Sequence, residues 1–137
     1  MKIRKYRGAG MIIYHRGSNG RMHLLLEKRS DDHSWAIPGG GASSADENLM
    51  AAAIRETAEE TGIAVPSAVH ITTYRLPFFT YAVFAAHLDD MVRPVRNWES
   101  ESIRWFPVSA LPEGMNFMTR IEIRDFLKME GICGRRN

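Results

Sequence analysis

Two apolar, partly β-branched runs open the chain, Gly8 to His15 (GAGMIIYH) and His23 to Arg29 (HLLLEKR), separated by Gly17-Ser18-Asn19-Gly20-Arg21. Asn-Gly between such runs predicts a β-hairpin. Ser30 to His33 reads as a loop, with His33 a loop residue, and leads through Trp35-Ala36-Ile37-Pro38 to Gly39-Gly40-Gly41. There the missing Cβ atoms let the backbone turn tightly and approach a ligand closely. Beyond them the pattern becomes helical. On a wheel of about 100° per residue, Met50, Ala53, Ile54, Thr57, Ala58 and Thr61 share one side, while Glu56, Glu59 and Glu60 lie almost opposite. Small Ala52 falls on the acid side, where it leaves room. Leu49 falls there too, and the wheel gives no reason for it. Gly62 is expected to end the helix as a left-handed cap. At the other end Ser44 and Glu47 have capping-box spacing, with Asp46 as a competing N-cap.

Val69 to Tyr74 (VHITTY) and Thr80 to Leu88 (TYAVFAAHL) read as two more strands broken by Pro77. Phe78, Phe79 and Tyr81 have two readings there, as core aromatics of a strand or as a platform on which a base stacks. Asp89 to Glu101 is a polar loop, and Ser102 to Phe106 (SIRWF) a short strand before Pro107. Thr119 to Met129 (TRIEIRDFLKM) is amphipathic, with Ile123, Phe126 and Leu127 on its apolar side, so it predicts a second major helix. Strands with helices at these positions suit an α+β fold, a mixed sheet covered on both faces.

Length and composition narrow the class. A chain of 137 residues is expected to form a single domain, 1–137, with a core that needs no disulfide or metal to hold it. A formal charge of +2 is too small to argue for nucleic acid or an anionic membrane, and neither is expected as a partner. The basic ends Met1-Lys2-Ile3-Arg4-Lys5 and Arg135-Arg136 read as solvated tails. A lone Cys133 has no internal partner and reads as inert, which fits a reducing, cytoplasmic setting. The first residues lack a secretory apolar core, and no apolar run is long enough to span a bilayer.

Chemistry concentrates on the first helix. Carboxylates at i, i+3 and i+4 repel one another unless cations occupy the space between them. Oxygen-only ligands favour a hard ion, so Mg²⁺ or Mn²⁺ is the expected guest of Glu56, Glu59 and Glu60. A solvated Glu-rich face, with Arg55 and Glu59 as an ordinary i,i+4 pair, is the plainer reading. It gives no role to the preceding glycines or to Glu47.

The spacing from Gly41 to Ile63 is specific. Gly41 is followed after five residues by Glu47, then after seven more by Arg55-Glu56, then Glu59-Glu60, Gly62 and Ile63. Chance would give those fixed positions on the order of once in a hundred million starts. The stretch resembles the box of the Nudix hydrolase family (MutT-type), with Thr57 alone departing, at a position that is usually apolar. Trp35, Pro38 and Arg29 also match what commonly precedes the box. The interval from Pro38 to Glu47 is a residue longer than usual, so an extra loop residue is expected there.

The resemblance, from about Gly8 to Met129, implies an α/β/α sandwich around a mixed sheet. It implies an enzyme, a pyrophosphohydrolase that cleaves the diphosphate linkage of a nucleoside diphosphate joined to another moiety, by attack of water on phosphorus. On that basis Glu56, Glu59 and Glu60 with the Gly40 carbonyl are the metal ligands, and Arg55 orients the glutamates, with Glu47 in support. Arg29 and Gly41 belong to substrate binding; for Arg29 a solvated strand end is the competing reading. Counting six residues back from Trp105 makes Glu99 the candidate general base, with Glu101 as its rival. A nucleotide-binding regulatory module without hydrolysis, and an isomerase or interaction protein on the same fold, are the competing functions. The partner implied is a nucleotide-type small molecule, a nucleoside triphosphate on the look of Trp35 to Gly40, with a homodimer as the default assembly.

Overall fold

Successive side chains of a strand point to opposite faces, and β1 (Tyr6–Arg16) buries both. Ala9, Met11 and Ile13 enter one apolar cluster, while Ile12 enters a second. A strand buried on both faces must be central in a covered sheet. The computed structural model describes residues 5–95 and 97–131. The readings of Met1 to Arg4, Cys133, Arg135 and Arg136 lie outside the described residues.

The remaining elements are β2 (Met22–Arg29), β3 (Trp35–Ala36), β4 (Gly39–Gly41), α1 (Leu49–Thr61), β5 (Val69–Leu76), β6 (Phe79–His87), β7 (Ser100–Pro107) and α2 (Phe117–Met129), with a short 3-10 turn at Val108–Ala110. The sheet runs β3-β2-β1-β6-β5, with β4 added to β1 and β7 to β2. β1 and β6 are parallel and the other pairs antiparallel, so the sheet is mixed as expected. The hairpin forms with Gly20 at φ 83° and Gly17 N–H bonded to Arg21 O at 2.9 Å.

β1 and β2 pair only near the hairpin, from Ile13↔Leu25 to Arg16↔Met22. Farther on they separate into a fork. β4 occupies the β1 side of it (Gly8↔Gly41, Gly10↔Gly39), and β3 the β2 side (Glu27↔Ala36). The glycines are therefore a short strand, not the tight turn expected of them, and none of the three has a positive φ. Their small size serves close packing instead. A Cβ on Gly39 would lie 2.5 Å from Ala9 O, and one on Gly40 would lie 2.6 Å from Glu56 Oε1.

α1 covers one face of the sheet, with Ala52 and Ala53 fully buried. The wheel placed this face wrongly at two positions: Ala52 is buried and Ala58 is exposed. The helix is rotated so that the row Leu49, Ala52, Glu56, Glu60 looks toward the fork, which also explains why Leu49 packs on the core. Its N-cap is Asn48, whose Oδ1 accepts from Ala51 N at 3.1 Å, rather than Ser44 or Asp46. Gly62 ends it in the left-handed conformation, φ 73°, as expected. α2 covers the other face with Ile123, Phe126 and Leu127, completing a sandwich with helices on both sides of the sheet.

Candidate active site

Arg55 is the hub of the site. Its Nε and Nη2 bond Glu47 Oε2 and Oε1, each at 3.0 Å, a two-pronged fit of a planar guanidinium to a carboxylate. Nη2 also donates to Gly41 O at 3.1 Å, and Nη1 reaches Glu59 at 3.2 Å and Glu56 at 3.4 Å. One side chain thus ties β4, the loop before α1 and the acid face together. The Arg55 hydrogen bonds hold the Glu47 carboxyl down to about 2, helped by Ser43 N–H at 2.7 Å. With Glu47 so engaged, the Ser44 capping box does not form.

The loop between β4 and α1 is clasped from below. Arg7 donates to Ala45 O at 2.9 Å, Glu47 O at 3.1 Å and Ser44 O at 3.4 Å, which ties the segment to β1. Arg7 was not legible as a site residue, because its partners are some forty positions away.

Glu56 and Glu60, one helical turn apart, face the fork. Burial pushes the Glu56 carboxyl up, Arg55 pulls it down, and the charges of Glu59 and Glu99 add to the rise. Glu60 is pushed up further, by burial first and then by the facing Glu27 carboxyl, against the hydrogen bond that Gly39 N–H donates to it at 3.0 Å. Glu27 is the residue that the sequence reading missed. It is only 3% exposed, accepts from Ser100 Oγ at 2.7 Å, and its Oε2 is buried with no hydrogen-bond partner among the described residues. The available signal was an acid ending the run Leu24-Leu25-Leu26: with the parity of Leu25, it points to the α1 side.

Glu59 is more exposed and turned to Arg55. Glu99 lies in a loop fastened at three points. Asn97 Nδ2 donates to Glu60 O at 2.9 Å, Asn97 Oδ1 accepts from Glu99 N at 2.7 Å, and Ser30 Oγ donates to Glu99 O at 2.7 Å. Its carboxylate is exposed. Glu101 is already on β7, where it pairs with His33 and approaches Lys28 at 3.9 Å. Among the described residues no three acids or imidazoles converge into a finished metal chelate.

A cleft of about 340 Å³ opens beside this row, lined by Arg29, Gly39, Gly40, Tyr6, Phe79 and Tyr81 and by residues of α2. Tyr6 and Phe79 stack at 5.4 Å, Phe79 and Tyr81 at 6.3 Å. Phe78 sits apart in the β5–β6 turn, half exposed with φ 65°. Arg29 lines the cleft while holding Asp31 at 3.4 Å. Gly41 does not line it; its carbonyl is taken by Arg55.

The NUDIX domain model matches residues 5–128. The chain belongs to the Nudix family. A Bacillus subtilis (strain 168) protein, provisionally named an 8-oxo-dGTP diphosphatase, is 29% identical over 121 residues, 87% of this chain and 78% of that protein. A MutT NUDIX hydrolase from Burkholderia pseudomallei is similar at 26% identity and TM-score 0.70, covering 90% of this chain and 98% of that one. The NUDIX domain of Shewanella oneidensis NrtR, solved with ADP ribose, shares the fold at TM-score 0.77 and 17% identity, covering 95% and 90%. The chain is accordingly a Nudix hydrolase, a pyrophosphohydrolase of the MutT type. No described helix is long and apolar enough to cross a membrane.

Proposed function

We propose that this Nudix hydrolase cleaves the diphosphate of a nucleoside triphosphate in a Mg²⁺- or Mn²⁺-dependent reaction, releasing nucleoside monophosphate and pyrophosphate. The observation that carries the reading is the row Glu56–Glu60, set against the Gly39-Gly40 backbone at the side of an aromatic cleft. The donor set suits a hard divalent ion. Glu56, Glu59, Glu60 and the Gly40 carbonyl would hold it, and the buried Glu27 carboxyl faces Glu60 behind them. Mg²⁺ fills its remaining positions with waters and substrate phosphates, so a protein chelate need not be complete in advance. When bound, the ion supplies neutralisation of the diphosphate charge and acidification of the attacking water.

The chain's own residues do the rest. Phe79 and Tyr81 stack the base, Arg29 draws the phosphates, and Arg55 with Glu47 keeps the acids from rotating away. The water oxygen forms a bond to phosphorus as the anhydride P–O bond breaks, and the bridging oxygen leaves with the pyrophosphate. The water's proton passes to a carboxylate, which we assign to Glu99, whose charge is felt by Glu56 and whose loop is fastened to Ser30.

The test is a panel of nucleoside triphosphates, oxidised nucleotides, ADP-ribose, nucleotide sugars and dinucleoside polyphosphates, with Mg²⁺ or Mn²⁺ and with excess chelator, products being identified by chromatography. Monophosphate and pyrophosphate from a triphosphate, lost in chelator, are expected. Turnover undiminished in chelator removes the metal, and tight binding of every ligand without turnover makes the chain a binding module.

A further inference from the structure

The ladder between β2 and β7 breaks at one step. Glu27↔Ile103 and Lys28↔Ser102 are followed by Arg29↔Ser100, so Glu101 is an extra residue on β7 with no counterpart on β2. An unbroken ladder would set Glu101 opposite Arg29 and shift Glu99 one position along the chain. Because of the break, Ser100 takes that place and donates to Glu27 at 2.7 Å, and Glu99 comes near enough for its charge to raise Glu56. The step therefore decides which carboxylates gather around the acids of α1.

The turn between β2 and β3 grips β7 on both sides of that extra residue. Ser30 holds Glu99 O through its N–H at 3.1 Å and its Oγ at 2.7 Å, and His33 Nδ1 holds the Glu101 carboxylate. His33 does so from the left-handed region, at φ 62°, with its own N–H donating to Arg29 O at 2.9 Å. A residue other than glycine is strained there. The His33 side chain is 67% exposed and that of Glu101 35%, and ion pairs so open to water add little stability. Strain on one side and a weak attraction on the other make stability a poor reason for the contact. What it fixes is the position of the extra residue, which Lys28 approaches only at 3.9 Å.

We propose that His33 is a positioning residue of the reaction: by holding Glu101 outside the ladder, it keeps Glu99 where it can accept the proton of the attacking water. This rests on the reading of Glu99 as the base. Two substitutions separate position from stability. Glycine takes a left-handed backbone without strain but has nothing with which to hold Glu101, whereas asparagine tolerates that backbone and still carries an N–H donor close to the Cβ.

The experiment is steady-state release of pyrophosphate from ATP, GTP, CTP and UTP by the full chain with Mg²⁺, beside thermal melting with and without the ion. His33→Gly is expected to lower kcat about 10- to 100-fold with KM within about two-fold of wild type, as a displaced reacting group does. Its Tm, and the rise in Tm on adding Mg²⁺, stay at or above the wild-type values. His33→Asn recovers most of the rate. Glu101→Ala, which unlike Glu101→Gln leaves no oxygen for His33, loses as much as His33→Gly. In a Glu99→Gln background, adding His33→Gly lowers the rate no further. Wild-type kcat in His33→Gly, a fall that tracks a lowered Tm, no recovery with asparagine, or the same further loss in the Glu99→Gln background overturns the proposal. Slow Glu99→Gln with unaffected His33→Gly sinks this inference alone. Glu99→Gln at the wild-type rate, or a wild type that cleaves none of the four, sinks the base or the triphosphate reading and this inference with it.

Discussion

Arg55 and Glu47 meet fork to fork, two parallel bonds of 3.0 Å joining α1 to the loop that precedes it. Lysine cannot reproduce that geometry. Arg55→Lys and Arg55→Ala are both expected to lower turnover about 10- to 100-fold, as loss of orienting groups around a metal typically does. Steady-state kinetics checks this, and wild-type rates in either variant would remove Arg55 from the site.

The same pair predicts an acid limb. Glu47 is held down to about 2 in the fold against an ordinary 4.5, so the unfolded state binds more protons between those values. The stability it contributes is present above about pH 4.5 and is lost as pH falls toward 2. Chemical denaturation at stepped pH should show Glu47→Gln less sensitive than wild type in that window; identical slopes would contradict the linkage.

Thr57 stands where the family usually has an apolar residue, and its Oγ1 is buried with no partner among the described residues. Valine has the same shape without the unsatisfied hydroxyl. Thr57→Val is therefore expected to stabilise the protein by about 1 kcal/mol, read as a rise of a few degrees in Tm. A lower Tm would mean the hydroxyl has a role.

Glu60 faces Glu27, and both are acids in a dry setting. Glu60→Gln keeps an oxygen for Gly39 N–H and removes one of the two facing acids. In chelator its Tm should equal or exceed that of wild type, while turnover with Mg²⁺ and the Tm increase on adding Mg²⁺ should both be largely abolished. An unfolded variant, or one that retains both responses, would make Glu60 structural.

Glu99 and Glu101 differ in how they are held. Glu101 is bound to His33 on β7, whereas the Glu99 carboxylate projects from a loop whose backbone is fixed to Ser30 and Glu60. Glu99→Gln should lower kcat by about 10- to 10⁴-fold with little change in Tm, and Glu101→Gln should leave kcat near wild type. The reverse pattern would transfer the base to Glu101.

What the sequence showed was whatever depends on neighbours along the chain. The spacing of Glu47, Arg55, Glu56, Glu59 and Glu60, the Gly62 cap, and the apolar runs of β1, β2 and β6 are local signals. What escaped it was set across the fold. The wheel set the acids of α1 opposite the core, whereas Glu56 and Glu60 face the fork, which exchanges Ala52 for Ala58 in the core. Asn48 became the cap because Arg55 had already taken Glu47. Glu27 and Arg7 acquire meaning only when β2 and β1 are brought beside distant partners.

The parallel pairing of β1 with β6, from Tyr6↔Phe79 to Tyr14↔His87, carries a kinetic consequence. A loop holding α1 and β5 must close before a single rung of that ladder can form, so its entropy is spent in advance of any reward. The β1–β2 hairpin can assemble first and β6 must dock late. The stacked Tyr6, Phe79 and Tyr81 are then among the last contacts to be made, and refolding should restore the hairpin's amide protection before it restores the capacity to bind a nucleotide.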